Sequence, residues 1–469
     1  MKIIPLFNFF LLLSFAGFSQ YQKNVELLDR WFSDTIITNS SQVRYSSCWA
    51  FEQDGKEYGV IGSTQGSHFF ELTAENKFRF IDFVPGRHVS SQVITREFKN
   101  FGKYLYASCD EGPSSLQIID LSYLPDSVHV IADYRNEFFG RIHNLFIDTT
   151  NQLLYACLVT PVNNNTETST IPLRVFSLEN PIAPTLVWDG PEDILEVHDL
   201  FVKNNLAILN CGYDGIRIYD FTNPSSPVYL NNLPFYQQQG YNHQGWLAPN
   251  NETYVFADET AGLKIKKAKI NTDFSIQIQQ LFGTENKPYD KTPHNIQCTN
   301  EFAFVAYYND GLRIYDLRYN PPKEIAAYDT YQDNALTNDF SMWGAWGIHT
   351  LLPSGRILVS DRNNGFFLFD FDRDFFIHQA SPEQFTVYPN PSSNSESFII
   401  RASADQIIDF KVEIYNALGQ LILEQTESSK SFLEINQQLS AGYYFSKIEY
   451  KNYLGEKIIE QIKIIKISF

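Results

Sequence analysis

Asn210-Cys-Gly-Tyr-Asp-Gly-Ile-Arg-Ile-Tyr-Asp220 returns as Ala306-Tyr-Tyr-Asn-Asp-Gly-Leu-Arg-Ile-Tyr-Asp316 and again as Ser360-Asp-Arg-Asn-Asn-Gly-Phe-Phe-Leu-Phe-Asp370. In each copy an Asp-Gly or Asn-Gly turn stands between alternating apolar runs. That is a β-hairpin signal, because glycine takes positive φ without steric cost. Looser copies lie at Gly62 to Glu71, Cys109 to Asp120, Leu158 to Ser177 and Ala257 to Lys266, which makes seven. Pro-rich turns such as Asn223-Pro-Ser-Ser-Pro227 follow and lead into a further strand, as at Val228 to Leu230.

A histidine precedes five of these hairpins, at His143, His198, His243, His294 and His349, with spacings of 55, 45, 51 and 55. Carried backward, the register reaches Arg96-Glu97 and then Ser46-Ser47. Seven units of about 50 residues, each with four strands, have the length of propeller blades, and radial closure avoids exposed sheet edges. The expected fold class is therefore all-β: a seven-bladed β-propeller over about residues 40 to 380, preceded by a lead-in over 20–39. Its residues resemble the LVIVD-repeat propellers of the secreted choice-of-anchor B family. The likeness is carried by His198-Asp199, His243-Gln244-Gly245-Trp246, Asp258-Glu259, His294-Asn295, Tyr307-Tyr308 with Gly311-Leu312-Arg313, and Leu352 to Gly355 followed by Ser360-Asp361. Where that family usually carries Trp-Arg-Asp in its second blade, this chain has Thr95-Arg96-Glu97. The resemblance implies a fold and an extracellular address without an established reaction.

Both ends read as addresses. Met1 to Ser19 has an early cation at Lys2, an apolar run through Leu13 and small residues at Gly17 and Ser19, the pattern of a secretory signal peptide. Its apolar run is interrupted and falls short of the roughly 20 residues a membrane span needs, so no transmembrane helix is expected in the mature chain. From Phe385 the texture becomes short alternating strands with polar turns, as in a small antiparallel β-sandwich of Ig-like type. Tyr388-Pro-Asn-Pro391, Ile414-Tyr-Asn416 with Gly419-Gln420, Leu439 with Gly442 and Tyr444, and a basic last strand recur there in order. This stretch, 385–469, resembles the type A sorting domain of the type IX (Por) secretion system. The resemblance implies export across an outer membrane, the secretion machinery as a partner, and either attachment to the cell surface or release.

Of the 469 residues 43% are apolar, which excludes disorder. A net charge of −18 repels phosphates and anionic membrane surfaces, so no nucleic-acid partner is expected. A cation or a neutral partner fits the charge better. Five cysteines without close pairing argue against a zinc knuckle or a disulfide framework. Cys109, Cys157 and Cys211, at matching second-strand positions, read as small buried side chains.

If each histidine begins an innermost strand, the imidazoles ring a central channel, with hairpin carboxylates on the same face. Imidazole plus carboxylate suits a divalent metal, so the candidate ligands are His143, His198, His243, His294, His349, Asp258 and Glu259. The candidate ligand-binding residues are Arg96, Glu97, Asp199, Gln244, Trp246, Asn295, Tyr307 and Tyr308; Tyr241, Trp343 and Trp346 lie beside the register. The same pattern has a structural reading, in which each ring N–H satisfies a carboxylate or carbonyl and ties blades together. Neither a Gly-x-Ser-x-Gly elbow nor a glycine-rich phosphate loop is present. The leading expectation is a non-catalytic scaffold that binds an unknown surface ligand or protein. The alternative is a metal-dependent extracellular hydrolase or lyase with Asp199, Asp258 or Glu259 as general base.

Overall fold

The computed structural model describes residues 21–40, 42–285, 290–331, 342–378, 385–393, 395–402, 408–451 and 457–468. The expected signal peptide, 1–19, lies outside them. Two compact units are present: one runs to Tyr315 and resumes over Glu324–Asp370, and the other comprises Asp316–Lys323 and the chain from Phe371 onward.

The first unit is a propeller-like set of small antiparallel sheets, each built around one of the repeated hairpins. Leu206–Asn210 and Ile216–Asp220 pair across the Asp-Gly turn of the first quoted repeat, with Asp199–Lys203 on the inner side and Val228–Leu233 on the outer. Gly215 at that turn has φ +78°, the left-handed conformation the hairpin reading assigned to glycine. Seven such sheets occur among the described residues. Their inner strands are Tyr45–Gln53, Arg96–Phe101, Asn144–Asp148, Asp199–Lys203, Asn242–Leu247, Pro293–Cys298 and Ala345–His349. Each lies against the next, and Ala345–His349 lies against Tyr45–Gln53.

The apolar cores sit between neighbouring sheets. Tyr155, Leu173 and Val175 of one sheet pack with Leu200, Ala207 and Leu209 of the next, and Ile61 and Phe70 pack with Leu358 and Phe366. Each fully buried Leu, Ile, Val or Phe contributes roughly 1.5–3 kcal/mol, so a sheet is stable only with both neighbours in place.

The lead-in differs from its expected role. Residues 20–39 were expected to precede the propeller, yet Glu26–Trp31 forms the outer strand of the sheet that ends in Gly365–Asp370, and Gln22–Lys23 pairs with Lys323–Tyr328. Those two sheets lack outer-edge partners unless the start of the chain supplies them. Periodicity could not assign these short strands, because they carry no hairpin of their own.

The second unit contains a three-stranded sheet, Phe385–Tyr388 with Phe398–Ala402 and Phe432–Ile435, and a five-stranded sheet that includes Ile408–Asn416, Leu421–Lys430, Gly442–Lys451 and Lys457–Ile467. Phe398, Ile400, Val412, Ile414, Ile448 and Ile464 meet in its core.

Where the last inner strand meets the first, Gly347 leaves no room for a side chain. A Cβ there would stand 2.8 Å from the backbone nitrogen of Cys48 and 2.7 Å from Ser360 Oγ. Gly347→Ala is expected to lower the thermal midpoint of the first unit, at a cost of about 1–3 kcal/mol. Circular dichroism on heating checks it, and an unchanged midpoint would mean that the two strands can part without penalty.

Candidate functional site

A bulge in four of the inner strands aims side chains at one end of the ring. The pairing slips between Tyr45 and Cys48, Asn242 and Gln244, Pro293 and Ile296, and Ala345 and Gly347, so the inner strand carries an extra residue there. Bulges re-aim side chains and commonly do so beside binding sites. The residues set free include His243, His294 and Trp346. His143 and His198 stand just ahead of their strands, their backbone N–H groups donating to the carbonyls of Cys157 and Asn210.

Four imidazoles and an indole form a continuous arc. Ring centroids are 4.3 Å apart for His143 and His198, 4.3 Å for His198 and His243, 4.2 Å for His243 and His294, and 4.2 Å for His294 and Trp346. The Arg362 guanidinium lies 4.3 Å from the Trp346 ring centre and extends the arc. His349 does not join it. This residue ends its strand, three residues beyond Trp346, and its ring stands edge-on to Trp49 at 4.6 Å. The fifth position of the register belongs to Trp346.

Hydrogen bonds fix the tautomers. His198 Nδ1 lies 3.1 Å from the His243 carbonyl, and His294 Nδ1 lies 2.8 Å from the Trp346 carbonyl. A carbonyl only accepts, so each Nδ1 carries the proton and each Nε2 keeps its lone pair. His143 Nδ1 meets Asp110 Oδ2 at 2.8 Å, and its Nε2 stands 2.7 Å from His198 Nε2. Since His198 Nε2 accepts, His143 holds both protons and is an imidazolium beside the Asp110 carboxylate. Burial opposes that charge, but Asp110 outweighs it and the His143 pKa is raised. Burial holds the other three neutral: His198 and His294 fall well below the ordinary range and His243 falls to about 4.

Around the arc, Glu259 faces two imidazoles, with Oε2 3.9 Å from His243 Nε2 and Oε1 3.9 Å from His294 Nε2. The Tyr308 hydroxyl donates to Glu259 Oε1, and its ring lies 4.9 Å from that of His294. Tyr241 donates to Glu196 Oε2 at 3.1 Å and meets His198 edge-on at 5.2 Å. These two residues, with Asp110 and Arg362, complete the mouth.

Other expected residues are employed elsewhere. Asp258 is fully buried in its own sheet, 2.8 Å from Lys266 Nζ and accepting from the Tyr236 hydroxyl at 2.7 Å. Tyr307 is buried with its hydroxyl near Thr284 and Tyr315. Arg96 donates to the carbonyls of Ser63 and His88, each at 2.7 Å. Gln244 is a latch between sheets: its Oε1 accepts from the Ile296 N–H at 2.8 Å and its Nε2 donates to the Ile296 carbonyl at 3.1 Å. Trp343 lies against Tyr331, 6.0 Å between centroids.

Beneath the arc, Glu97, Asp199, Asn295, Gln244, Trp246 and Lys99 help line a cavity of about 40 Å³, room for no more than a few waters. Burial raises the Glu97 and Asp199 carboxyls, Asp199 to about 7. Arg362 and Glu196 were not among the expected site residues, whereas Asp110 is one of the hairpin carboxylates expected on that face. Arg362 was nonetheless findable, since it follows Asp361 as Glu259 follows Asp258 and Tyr308 follows Tyr307. The cysteines are all buried free thiols.

Residues 386–463 match a family model described as a secretion system C-terminal sorting domain. This is a type IX signal, and the chain is exported to the cell surface or the extracellular space. No helix among the described residues is long and apolar enough to cross a membrane. A search of the curated proteins found no match. Among solved structures, the chain is similar to a protein from Lactobacillus plantarum at 12% identity, covering 79% of this chain and 95% of that one with a TM-score of 0.47. It is also similar to the WD40 repeats of RRP9, at 12% identity, 75% and 99% coverage and a TM-score of 0.47. The extracellular domain of a one-component system from B. thetaiotaomicron is similar at 13% identity with a TM-score of 0.46; the match spans 94% of this chain and 60% of that one.

His349 gives a pH test of the channel. Burial lowers its pKa from 6.5 to about 3. The unfolded chain therefore takes up the proton first as pH falls, so the contribution of neutral His349 is complete above pH 6.5 and is lost toward pH 3. In His349→Gln the thermal midpoint is expected to fall less between about pH 7 and about pH 4 than in the wild type. Equal slopes would assign the loss to other groups.

Proposed function

We propose that this chain is an exported seven-bladed propeller that binds a ligand, without turning it over, at the mouth formed by the histidine arc. The observation that carries the reading is the convergence of four imidazoles, Trp346, Tyr308 and Glu259 at one end of the ring of inner strands. Bulges in the His243, His294 and Trp346 strands aim these rings at the mouth, where a satisfied core would turn them inward. Tyr308 and Trp346 are buried and wall the site, while the carboxylates and imidazoles offer directional hydrogen bonds. The sequential order of the inner strands, returning from the seventh to the first, supports the blade number. Kinship with the LVIVD-repeat, choice-of-anchor B propellers belongs to the same proposal, as does removal of a signal peptide over 1–19. The sorting unit then serves delivery and the propeller serves recognition.

Purified protein is expected to show no turnover on a panel of esters, lactones and phosphates, while a ligand that occupies the mouth quenches Trp346 fluorescence and loses at least tenfold in affinity in Trp346→Ala. Turnover that His198→Ala abolishes would replace this reading with a catalytic one. For delivery, a chain lacking 385–469, expressed in a bacterium with a type IX system, is expected to stay inside the outer membrane on fractionation. Surface display of the truncated chain would detach export from the tail.

A further inference from the structure

The mouth holds an electrostatic conflict. Glu259 presents Oε2 and Oε1 to the Nε2 atoms of His243 and His294, each 3.9 Å away. With its Nδ1 proton given to the Trp346 carbonyl, His294 directs a lone pair there. His243 is buried and held neutral, and a hydrogen bond to the backbone of His294 keeps its ring proton on the nitrogen turned away from Glu259. Electron-rich atoms thus face one another at a separation too long for a hydrogen bond. A gap of 3.9 Å is, however, within what two metal–ligand bonds of about 2.0–2.2 Å can bridge, and the donors need draw together by only a few tenths of an ångström for a tetrahedral ion. His198, His243 and Glu259 each offer one ligand atom, and all three atoms lie within 4.8 Å of one another, with both imidazoles buried and the carboxylate partly so.

We propose that His198, His243 and Glu259 bind a single divalent transition-metal ion, of the zinc class, at the mouth of the channel. This deepens the ligand-binding reading above and rests on it only for the location of the site. The donor set of two neutral imidazoles and a carboxylate suits zinc, nickel or cobalt far better than magnesium or calcium, which take all-oxygen shells. The surroundings orient the donors before the ion arrives. The His243 carbonyl holds His198 Nδ1, so only Nε2 of that ring is available, and the Tyr308 hydroxyl holds the Glu259 carboxylate. Such outer hydrogen bonds fix ring tautomer and ligand direction in metal sites. His143 Nε2 stands 2.7 Å from His198 Nε2, so the His143 ring must turn aside for the ion to reach that nitrogen. Three protein ligands leave a coordination position for water or for a donor atom of the bound ligand.

The test is calorimetric titration of the purified, chelator-treated full chain with zinc chloride, with magnesium chloride in parallel. The expected result is one zinc per chain at micromolar or tighter affinity, none of it matched by magnesium. Glu259→Gln, which keeps an acceptor for Tyr308, and His243→Gln are each expected to weaken zinc binding at least tenfold while circular dichroism stays native. His349→Gln is expected to bind zinc as the wild type does. Absence of zinc binding, or binding that survives both substitutions, overturns the proposal. If a ligand quenches Trp346 in the metal-free protein and no zinc binds, this inference fails and the recognition reading stands; if zinc binds stoichiometrically and the protein turns over an ester, the recognition reading fails and the metal site stands.

Discussion

The antiparallel pairing of Glu26–Trp31 with Gly365–Asp370 is the constraint on which the first unit depends. It joins segments more than 330 residues apart. Because the apolar cores lie between sheets, the sheet built from Ala345–His349, Ile357–Asp361 and Gly365–Asp370 covers the face of Tyr45–Gln53 and its partners, and Phe70 and Phe366 share one cluster. Without the closing strand, the outer edge of Gly365–Asp370 would be an unpaired row of N–H and C=O groups, an invitation to pair with another chain. Closure also sets the mouth. Trp346 belongs to the closing sheet and His294 to its neighbour, and the carbonyl latch between them exists only if the two sheets are docked.

The structural and functional readings of the histidines turn out to concern different nitrogens. Nδ1 of His198 and of His294 ties one sheet to the next through a backbone carbonyl. The same bond leaves Nε2 as an acceptor, which in His198 meets His143 and in His294 faces Glu259. His143 is the exception, since its Nδ1 faces Asp110 and its Nε2 donates to His198. One positive charge, balanced by Asp110, thus sits at the end of an otherwise neutral arc.

Much of the fold was legible because hairpins are local. The Asp-Gly and Asn-Gly turns at 214–215, 310–311 and 364–365 marked strands that do pair in those sheets. The histidine spacing located four inner strands correctly. What failed was parity at the ends of strands. His349 matched the period but lies three residues past the bulge, and only the slip between Ala345 and Gly347 shows that Trp346 is the equivalent residue. Of the expected pairs Asp258-Glu259 and Tyr307-Tyr308, only the second member of each faces the arc, because in a strand one position reverses the side chain. A bulge is a difference between two strands, and no single strand displays it in its sequence.

The inner strands enclose only a small cavity beneath the arc. Trp49, Lys99, Phe146, Trp246, Gln297 and Ile348 are among the residues that line a cavity of about 40 Å³ there. Lys99 stands 4.3 Å from the Trp49 ring centre, and its charge lowers the cost of the Glu97 and Asp199 carboxylates opposite it. Burial still dominates both acids and raises their pKa values, so each carries less negative charge at neutral pH than an exposed acid. Two further acids stand at the rim, Asp110 against His143 and Glu259 facing His243 and His294. In the proposed binding role, the polar groups open to a ligand are therefore those of the rim, with Tyr308 and Trp346 buried behind them.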